Sequence, residues 1–219
     1  MFDLFVLFCL CWCCLMGVFS ESVSVMEGDT VTLNTDVTEI PEDDDIVWTF
    51  RDDQSLIGEI TRAAGIFNTS DDVPDERFRD RLKLDRQTGS LTITNITTQH
   101  TGEYKLEISG AELTSKTFSV SVYAPLPTPV ITRDCSSSSS SSSSSSFSSQ
   151  QNCSLLCSVV NVGHVTLSWY KGNSLLSSIS VSDLSISLSL PLEVEYQEKN
   201  SYSCVINNPI TNQTTHLNI

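Results

Sequence analysis

Histidines and clustered carboxylates are the side chains that could carry catalytic or metal chemistry in this 219-residue chain. The three histidines, His100, His164 and His216, lie far apart, and neither a G-x-S-x-G nucleophile motif nor a phosphate-binding glycine loop accompanies them. The acidic run PEDDD at 41–45 has the oxygen ligands that calcium prefers but not the spacing of a calcium loop, so we predict a solvated loop. We therefore expect no enzyme, no cofactor and no metal site, with a hydrolase as a remote alternative.

The first twenty residues, MFDLFVLFCLCWCCLMGVFS, form an apolar segment closed by small residues. This pattern predicts a secretory signal peptide over 1–20, and a retained membrane anchor is the alternative. Removal of the signal peptide leaves four of the eight cysteines, an even number that predicts two disulfide bonds in an oxidising compartment. All four lie in the second half of the chain: Cys135, Cys153, Cys157 and Cys204.

Glycosylation signals and charge fit an extracellular protein-binding chain. N-x-S/T triplets predict N-glycosylation at Asn68, Asn95, Asn152 and Asn212. Residues 21–124 carry 21 acidic and 9 basic side chains, whereas residues 125–219 carry 5 and 3. This acidity excludes a nucleic-acid footprint, and no motif indicates a small-molecule substrate. The acid-rich half could attract a basic partner, although a solvated surface is the simpler interpretation.

Alternation of apolar and polar residues predicts short strands between residues 21 and 123. IVWTF at 46–50 places Trp48 on its apolar face, and GEYKLEI at 102–108 places Leu106 on its own. A period of two with one polar face is typical of antiparallel sheets packed as a sandwich. The same alternation predicts further strands at 31–37, 90–96 and 117–123.

A proline-rich segment, YAPLPTPVITRD at 123–134, separates the two halves of the chain. Because proline cannot donate to a strand ladder, we predict a stiff connector and the start of a second domain at 124–134. An almost pure serine run at 136–149 predicts a flexible surface loop, with O-glycosylation as the functional alternative. Around this loop the strand pattern restarts, at 153–159, 165–172, 184–190 and 200–206.

The second half contains a cysteine, tryptophan and cysteine arrangement that is typical of immunoglobulin domains. Trp169 follows Cys157 by twelve residues, and Tyr202 precedes Cys204 by two, as in the tyrosine corner of such a domain. The short spacing between the two cysteines favours seven strands. We therefore predict an all-β fold of two tandem immunoglobulin-like β-sandwiches. Their bounds are 21–123 for a variable-type domain and 135–219 for a short constant-type domain.

The first half keeps the tyrosine corner but lacks both core cysteines. Gly102 and Tyr104 have the corner spacing and Trp48 is the core tryptophan, yet Thr35 and Leu106 occupy the cysteine positions. Loss of such a bond typically costs about 2–5 kcal/mol, and burial of a leucine recovers about 1.5–3 kcal/mol. An inward-facing Thr35 would need a partner for its hydroxyl.

This first half resembles the first domain of the lymphocyte adhesion receptors of the signalling lymphocytic activation molecule (SLAM) family. The resemblance rests on VSVMEGDTVTL (23–33), RFRDRLKL (77–84) with GSLTITNI (89–96), TGEYKLEI (101–108) and the paired absence of cysteines. It extends over about residues 21–219. It implies a variable-type domain without the core disulfide, followed by a short constant-type domain with two disulfides.

Two positions depart from the pattern of this family. His216 stands where the last strand usually has a cysteine, and His100 stands where an aspartate usually faces an arginine such as Arg77. The second departure puts the usual ion pair of the corner in doubt. The disulfide pairs that the resemblance then implies are Cys135–Cys153 and Cys157–Cys204.

The resemblance also implies a function, because receptors of this family bind themselves or each other through the front sheet of the first domain. We expect a cell-surface adhesion and co-signalling receptor of immune cells with a protein partner, weak self-association included. A secreted soluble decoy form is one alternative, and alternating charges that merely solvate a sheet are another. An antigen-receptor domain is excluded, because no F-G-x-G follows the predicted strand at 102–108. The outward residues of the front sheet would include Thr49, Arg51, Glu59, Glu103, Lys105 and Glu107.

Overall fold

The computed structural model describes residues 18–50, 55–69, 76–136, 151–196 and 201–218. Contacts divide the chain into two compact units, Met1–Ala124 and Pro125–Ile219. Within the described ranges the regular structure is β-strand, apart from one turn of 3-10 helix at Thr98–His100. No helix in these ranges is long and apolar enough to cross a membrane. The predicted all-β fold of tandem immunoglobulin-like sandwiches is confirmed. The predicted signal peptide lies mostly outside the described residues.

The first unit packs a six-stranded sheet against a three-stranded sheet. Its described strands are β1 (Val18–Met26), β2 (Val31–Leu33), β3 (Asp45–Phe50), β4 (Ser55–Thr61), β5 (Ile66–Thr69), β6 (Leu82–Leu84), β7 (Leu91–Ile93), β8 (Gly102–Ser109) and β9 (Leu113–Tyr123). The sheet orders are β1-β9-β8-β3-β4-β5 and β2-β7-β6. Strand β1 runs parallel to β9, with Val18 opposite Ser115 and Met26 opposite Tyr123. The other neighbouring strands are antiparallel.

The core of this unit consists of the apolar side chains that the strands point between the two sheets. In β3, Ile46, Trp48 and Phe50 are buried and alternate with half-buried residues. The Trp48 ring lies 5.5 Å from the ring of Phe118, and the Phe50 ring lies 4.7 Å from that of Tyr104. Because every second side chain of these strands is buried in the core, the side chains between them lie on the outward side of the six-stranded sheet.

The two positions that lack cysteine are filled by packing and by a hydrogen bond. Leu106 is 2% exposed and lies opposite Trp48 in the register of β8 and β3. Thr35 is also buried, and its hydroxyl donates a 2.7 Å hydrogen bond to the carbonyl oxygen of Thr88. Because this hydroxyl has a partner, burial of Thr35 avoids the cost of an unpaired donor.

Lys116 of β9 lies next to these positions and turns away from solvent. It is opposite Leu106 in the β8–β9 register, and its side chain is only 16% exposed. Its ammonium Nζ lies 2.6 Å from the carboxylate of Asp36 and 2.8 Å from that of Glu21, and it donates a 3.3 Å hydrogen bond to the carbonyl oxygen of Asn34. Lys116 thereby connects β1 and β9 with the segment that follows β2 in the other sheet.

Replacing Lys116 with methionine should lower the free energy of unfolding of the first unit by about 1–3 kcal/mol, because hydrogen bonds to charged groups are lost. Burial opposes the charged form of Lys116, but hydrogen bonds to Asp36 and Glu21 outweigh burial, so the pKa is raised above 10.5. A raised pKa adds stability that is fully present below the unfolded value and is lost as the pH rises through the folded value. Urea unfolding at about pH 8 and about pH 11 measures both effects.

The control for this prediction is Lys83→Met, because Lys83 is an exposed lysine on β6. A surface substitution of this kind should change the free energy of unfolding by less than about 0.5 kcal/mol. The difference between wild type and Lys116→Met should shrink at the higher pH. A difference that is absent at the lower pH, or undiminished at the higher, would contradict a stabilising role of the charged ammonium.

The second unit is a separate sandwich of three and four strands. Its described strands are β10 (Val130–Ser136), β11 (Gln151–Val162), β12 (Val165–Lys171), β13 (Ser174–Val181), β14 (Ser185–Tyr196), β15 (Ser201–Asn207) and β16 (Asn212–Asn218). They form the sheets β10-β11-β14 and β13-β12-β15-β16. The core contains Trp169, whose Nε1 donates a 2.8 Å hydrogen bond to the carbonyl oxygen of Leu190, and the corner residue Tyr202, which is 5% exposed.

Both predicted disulfide bonds are present in the second unit, with the pairing that the resemblance implies. The Cys157–Cys204 bond joins β11 to β15 and therefore links the two sheets through the core, where both cysteines are fully buried. The Cys135–Cys153 bond joins β10 to β11, whose two cysteines lie directly opposite each other in register. The two bonds thus act differently, one between sheets and one within a sheet.

Several strand boundaries differ from the sequence prediction, and two of these differences have a local cause. Strand β2 ends at Leu33 instead of extending over 31–37, since Asp36 has a φ of 63°, a left-handed conformation that a strand does not continue through. Strand β10 already begins at Val130, inside the predicted connector. No proline follows Pro129 in this segment, so the backbone amides from Val130 onward can join a ladder.

Candidate protein-binding surface

The outward side of the six-stranded sheet, which we call the front face, collects most of the residues predicted to bind a partner. In β8 the buried residues Tyr104 and Leu106 alternate with Glu103, Lys105 and Glu107. Successive side chains of a strand point to opposite sides, so these three charged residues share the front face. Strand β9 extends the face with small polar residues opposite the charged ones, namely Ser119, Thr117 and Ser115.

Strands β3 and β4 bring two more predicted residues to the same surface. Thr49 lies opposite Lys105, and Val47 lies between Glu107 of β8 and Glu59 of β4. Neighbouring strands are about 4.8 Å apart, so the backbones of Glu59 and Glu107 are separated by about 10 Å across β3. The front face thus extends over three adjacent strands, with the apolar side chains of Val47 and Leu56 among its polar residues; Leu56 lies opposite Thr49 and is 42% exposed.

Arg51, the sixth predicted binding residue, lies outside the described residues. Besides the small polar residues of β9, the front face contains Val47, Asp45 and Leu56, none of which was predicted as a binding residue. The signal for Val47 was available, because it lies between the inward residues Ile46 and Trp48. Asp45 was assigned to the acidic loop, whereas the structure makes it the first residue of β3, on the same side as Val47.

Negative charge dominates the described part of the front face, which carries Lys105 and the four carboxylates of Asp45, Glu59, Glu103 and Glu107. The Nζ atom of Lys105 lies 2.7 Å from Oε1 of Glu107, and the two side chains are 41% and 37% exposed. An exposed pair of this kind contributes only about 0–1 kcal/mol. The positive charge of Lys105 is therefore partly neutralised by the carboxylate of Glu107. Among the described residues no cation forms an ion pair with Glu59 or Glu103.

The predicted glycosylation sites lie at different places on the described surface. Asn68 is exposed on β5 and lies opposite Glu59, so a glycan there would stand at one edge of the front face. Asn95 follows β7 and is exposed, and Asn212 is the exposed first residue of β16. The backbone of Asn152 belongs to β11. Glycosylation at these sites stays a prediction.

The corner beside β8 is built around His100, which is 1% exposed. The hydroxyl of Tyr104 donates a 2.8 Å hydrogen bond to the carbonyl oxygen of His100. His100 Nε2 lies 2.8 Å from the carbonyl oxygen of Arg77 and must donate to it, so Nδ1 accepts the 2.8 Å hydrogen bond from the amide of Thr97. The imidazole ring, whose centroid also lies 5.0 Å from that of the tilted Phe78 ring, thus holds this corner.

The three histidines do not form a common site. His100 belongs to the first unit, whereas His164 precedes β12 and His216 lies on β16 of the second unit, both exposed. Across the part of the chain that the structure describes, which includes the acidic run 41–45, no three histidine, cysteine or acidic side chains are grouped as metal ligands.

Residues 18–123, which make up most of the first unit, match the family model of the immunoglobulin V-set domain. The chain has no significant sequence match among the curated proteins. V-set domains and the receptor ectodomains of similar structure are families that are not typically enzymatic.

Solved structures with a similar fold come from several receptors. Bovine butyrophilin is 12% identical, with a TM-score of 0.66 over 91% of this chain and 95% of that one. Murine CEACAM1b is 17% identical, with a TM-score of 0.59 over 90% of this chain and 94% of that one. At these identities the likeness shows the fold alone.

The first immunoglobulin-like domain of human CD48 is 22% identical, with a TM-score of 0.43 over 52% of this chain and 90% of that one. A likeness of this size does not separate one receptor family from another. The resemblance to the SLAM family therefore stays a prediction.

Proposed function

We propose that this chain is the ectodomain of an adhesion and co-signalling receptor of immune cells, similar to the SLAM family, that binds a protein partner through its front face. The observation that carries the proposal is the front face itself. The inward side of the sheet buries Trp48, Tyr104 and Leu106, while the front face presents Glu103, Lys105 and Glu107 beside Thr49 and Glu59. The proposed location is the outer cell surface.

The chemistry of this face suits weak and specific contacts between cells. Charged side chains on a sheet contribute specificity and encounter rate more than affinity. An extended apolar core would support a permanent complex, but the central apolar side chains of the face, Val47 and Leu56, stand among charged and polar ones. Many weak contacts between two membranes gain strength through avidity. We therefore expect the single contact to be weak and the multivalent contact to be strong.

This proposal can be tested with beads coated with the glycosylated chain. The number of beads that bind to lymphocyte and to epithelial cell lines is counted. The front-face variant Lys105→Asn/Glu107→Thr creates an N-x-T sequon in the middle of β8. A glycan attached there covers the face whatever the charge of the partner. Wild-type beads should bind lymphocytes. Because a glycan is bulky, the front-face variant should bind at least about tenfold less.

A matched control places the glycan on the opposite sheet. Thr92→Asn creates an N-x-T sequon at 92–94, because Thr94 is already present. Residue 92 lies on β7, the central strand of the three-stranded sheet. This variant should bind lymphocytes like wild type, and circular dichroism should show that both variants are folded. Equal binding by both glycan variants would refute the front face as the binding site. Equal binding of wild-type beads to lymphocytes and epithelial cells would refute the immune-cell function.

A further inference from the structure

We infer that the partner of the front face is a protein with a basic binding surface, rich in lysine and arginine, rather than a second copy of this chain. The inference rests on the proposed function and identifies the kind of partner. It is carried by the sign and the placement of the charges on the described strands.

The carboxylates of the front face are distributed over three adjacent strands. Asp45 lies on β3, Glu59 on β4, and Glu103 and Glu107 on β8. Lys105 is the one cation among the outward residues of these three strands within the described ranges, and it lies 2.7 Å from Glu107. A partner that approaches this face therefore meets a net negative surface. Lysine and arginine are the side chains that complement it.

Residues between the strands do not reverse this sign. The connection from β3 to β4 has the sequence RDDQ at 51–54, which adds one basic and two acidic side chains. Lys116 of β9 is not available to the face, because it lies on the opposite side of the strand with Asp36 and Glu21. The whole region 21–124 has the same excess, with 21 acidic against 9 basic side chains.

Self-association through this face would bring carboxylates against carboxylates. In a symmetric contact the same patch is used by both copies, so the charges of β3, β4 and β8 meet a second set of equal sign. Like charges across a contact suppress binding, and opposite charges accelerate encounter. The expected weak homodimer of the sequence analysis is therefore the less favourable arrangement, and a complementary receptor is the more favourable one.

A charge-reversed copy of the chain serves as a basic probe. It carries Glu59→Lys, Glu103→Lys and Glu107→Lys. Sedimentation of wild type, of the variant and of their mixture compares the three contacts on one scaffold. The mixture should associate with a Kd at least about tenfold lower than either protein alone, because only the mixture pairs opposite charges. Raising the salt from about 50 mM to about 300 mM should weaken this association at least about tenfold.

A loop-reversed copy with Glu39→Lys, Glu42→Lys and Asp43→Lys is the matched control. It has the same change in net charge, but the changed side chains are exposed in the segment between β2 and β3. Its mixture with wild type should not associate. On lymphocytes, beads with the charge-reversed copy should bind at least about tenfold less than wild type, whereas beads with the loop-reversed copy should bind like wild type.

The outcomes separate the inference from the proposed function. Wild-type self-association as tight as that of the mixture would overturn the inference and favour a second copy as partner. Absence of association in every mixture, or equal association of the loop-reversed copy, would also overturn it. In these cases the proposed function still stands if the front-face glycan abolishes lymphocyte binding. The proposed function fails if that glycan leaves binding intact, whatever the mixtures show.

Discussion

Replacing Trp48 with alanine should lower the free energy of unfolding of the first unit by about 3–5 kcal/mol, the range for removal of a large buried aromatic side chain. Trp48 is fully buried, lies opposite Leu106 and packs 5.5 Å from the Phe118 ring. Its Nε1 donates a 2.9 Å hydrogen bond to the carbonyl oxygen of Gly89. The free energy of unfolding of a small domain is about 5–15 kcal/mol, so this loss is a large fraction of it.

The absence of a core disulfide makes this unit depend on Trp48 more than a cross-linked sandwich would. Gly89 has a φ of 72°, and a Cβ placed on it would lie 2.2 Å from the Cδ1 atom of Ile46, so a larger residue here would be strained and would displace the Ile46 side chain. Trp48→Phe keeps the ring contact but leaves the Gly89 carbonyl without its donor, at a cost of about 1–3 kcal/mol. Chemical denaturation monitored by hydrogen exchange distinguishes the two units.

The neighbouring outward residue is the control for this prediction. Thr49→Ala removes a half-buried side chain from the same strand and should cost less than about 1 kcal/mol. A loss below about 1 kcal/mol for Trp48→Ala would show that the two sheets are held together by something other than this packing.

Removal of the disulfide between the two sheets of the second unit should have the next largest effect. The Cys157→Ala/Cys204→Ala variant loses a cross-link over a sequence separation of 47 residues. The loop-entropy relation gives about 4 kcal/mol for this length at 25 °C. Both cysteines are fully buried, so replacement with alanine also leaves unfilled space in the core next to Trp169. We expect a fraction of the second unit to be unfolded at 37 °C.

The Cys135→Ala/Cys153→Ala variant is the comparison for this bond. It loses a cross-link with a separation of 18 residues, for which the same relation gives about 3 kcal/mol. This bond joins neighbouring strands that already share a backbone ladder, so its removal should cost less than that of Cys157–Cys204. Differential scanning calorimetry of the two variants measures the order. The reverse order would mean that the first strand of the second unit depends on its cross-link.

Much of the fold could be predicted because its main elements obey a period of two. Strand β3 buries every second residue, as the IVWTF pattern indicates, and β8 does the same around Tyr104 and Leu106. The front-face residues follow from this alternation, since the residues between the buried ones must point outward. The second unit was predictable from its cysteine, tryptophan and tyrosine spacing, a pattern that depends on contacts across its core.

Other features could not be predicted, because they depend on which distant residues meet. Lys116 precedes the predicted strand at 117–123, and its partners Asp36 and Glu21 are distant in sequence, so its ion pairs could not be foreseen. His100 was noted as a departure from the family, but its bond to the Arg77 backbone requires the folded corner. The parallel pairing of β1 with β9 likewise joins segments about 90 residues apart, and no local signal specifies it.

That parallel pairing has a mechanical consequence. Strand β9 continues along the chain toward the second unit, so tension that enters at the front face leaves the first unit through Tyr123. The strand is held on one side by eight register pairs with β8 and on the other by six with Glu21–Met26, the part of β1 that follows the predicted signal peptide. A pull along β9 loads both ladders in shear, so their hydrogen bonds resist together and do not unzip singly. Since forced unfolding is governed by the unfolding rate, this arrangement should slow the rupture of the domain while the partner remains bound.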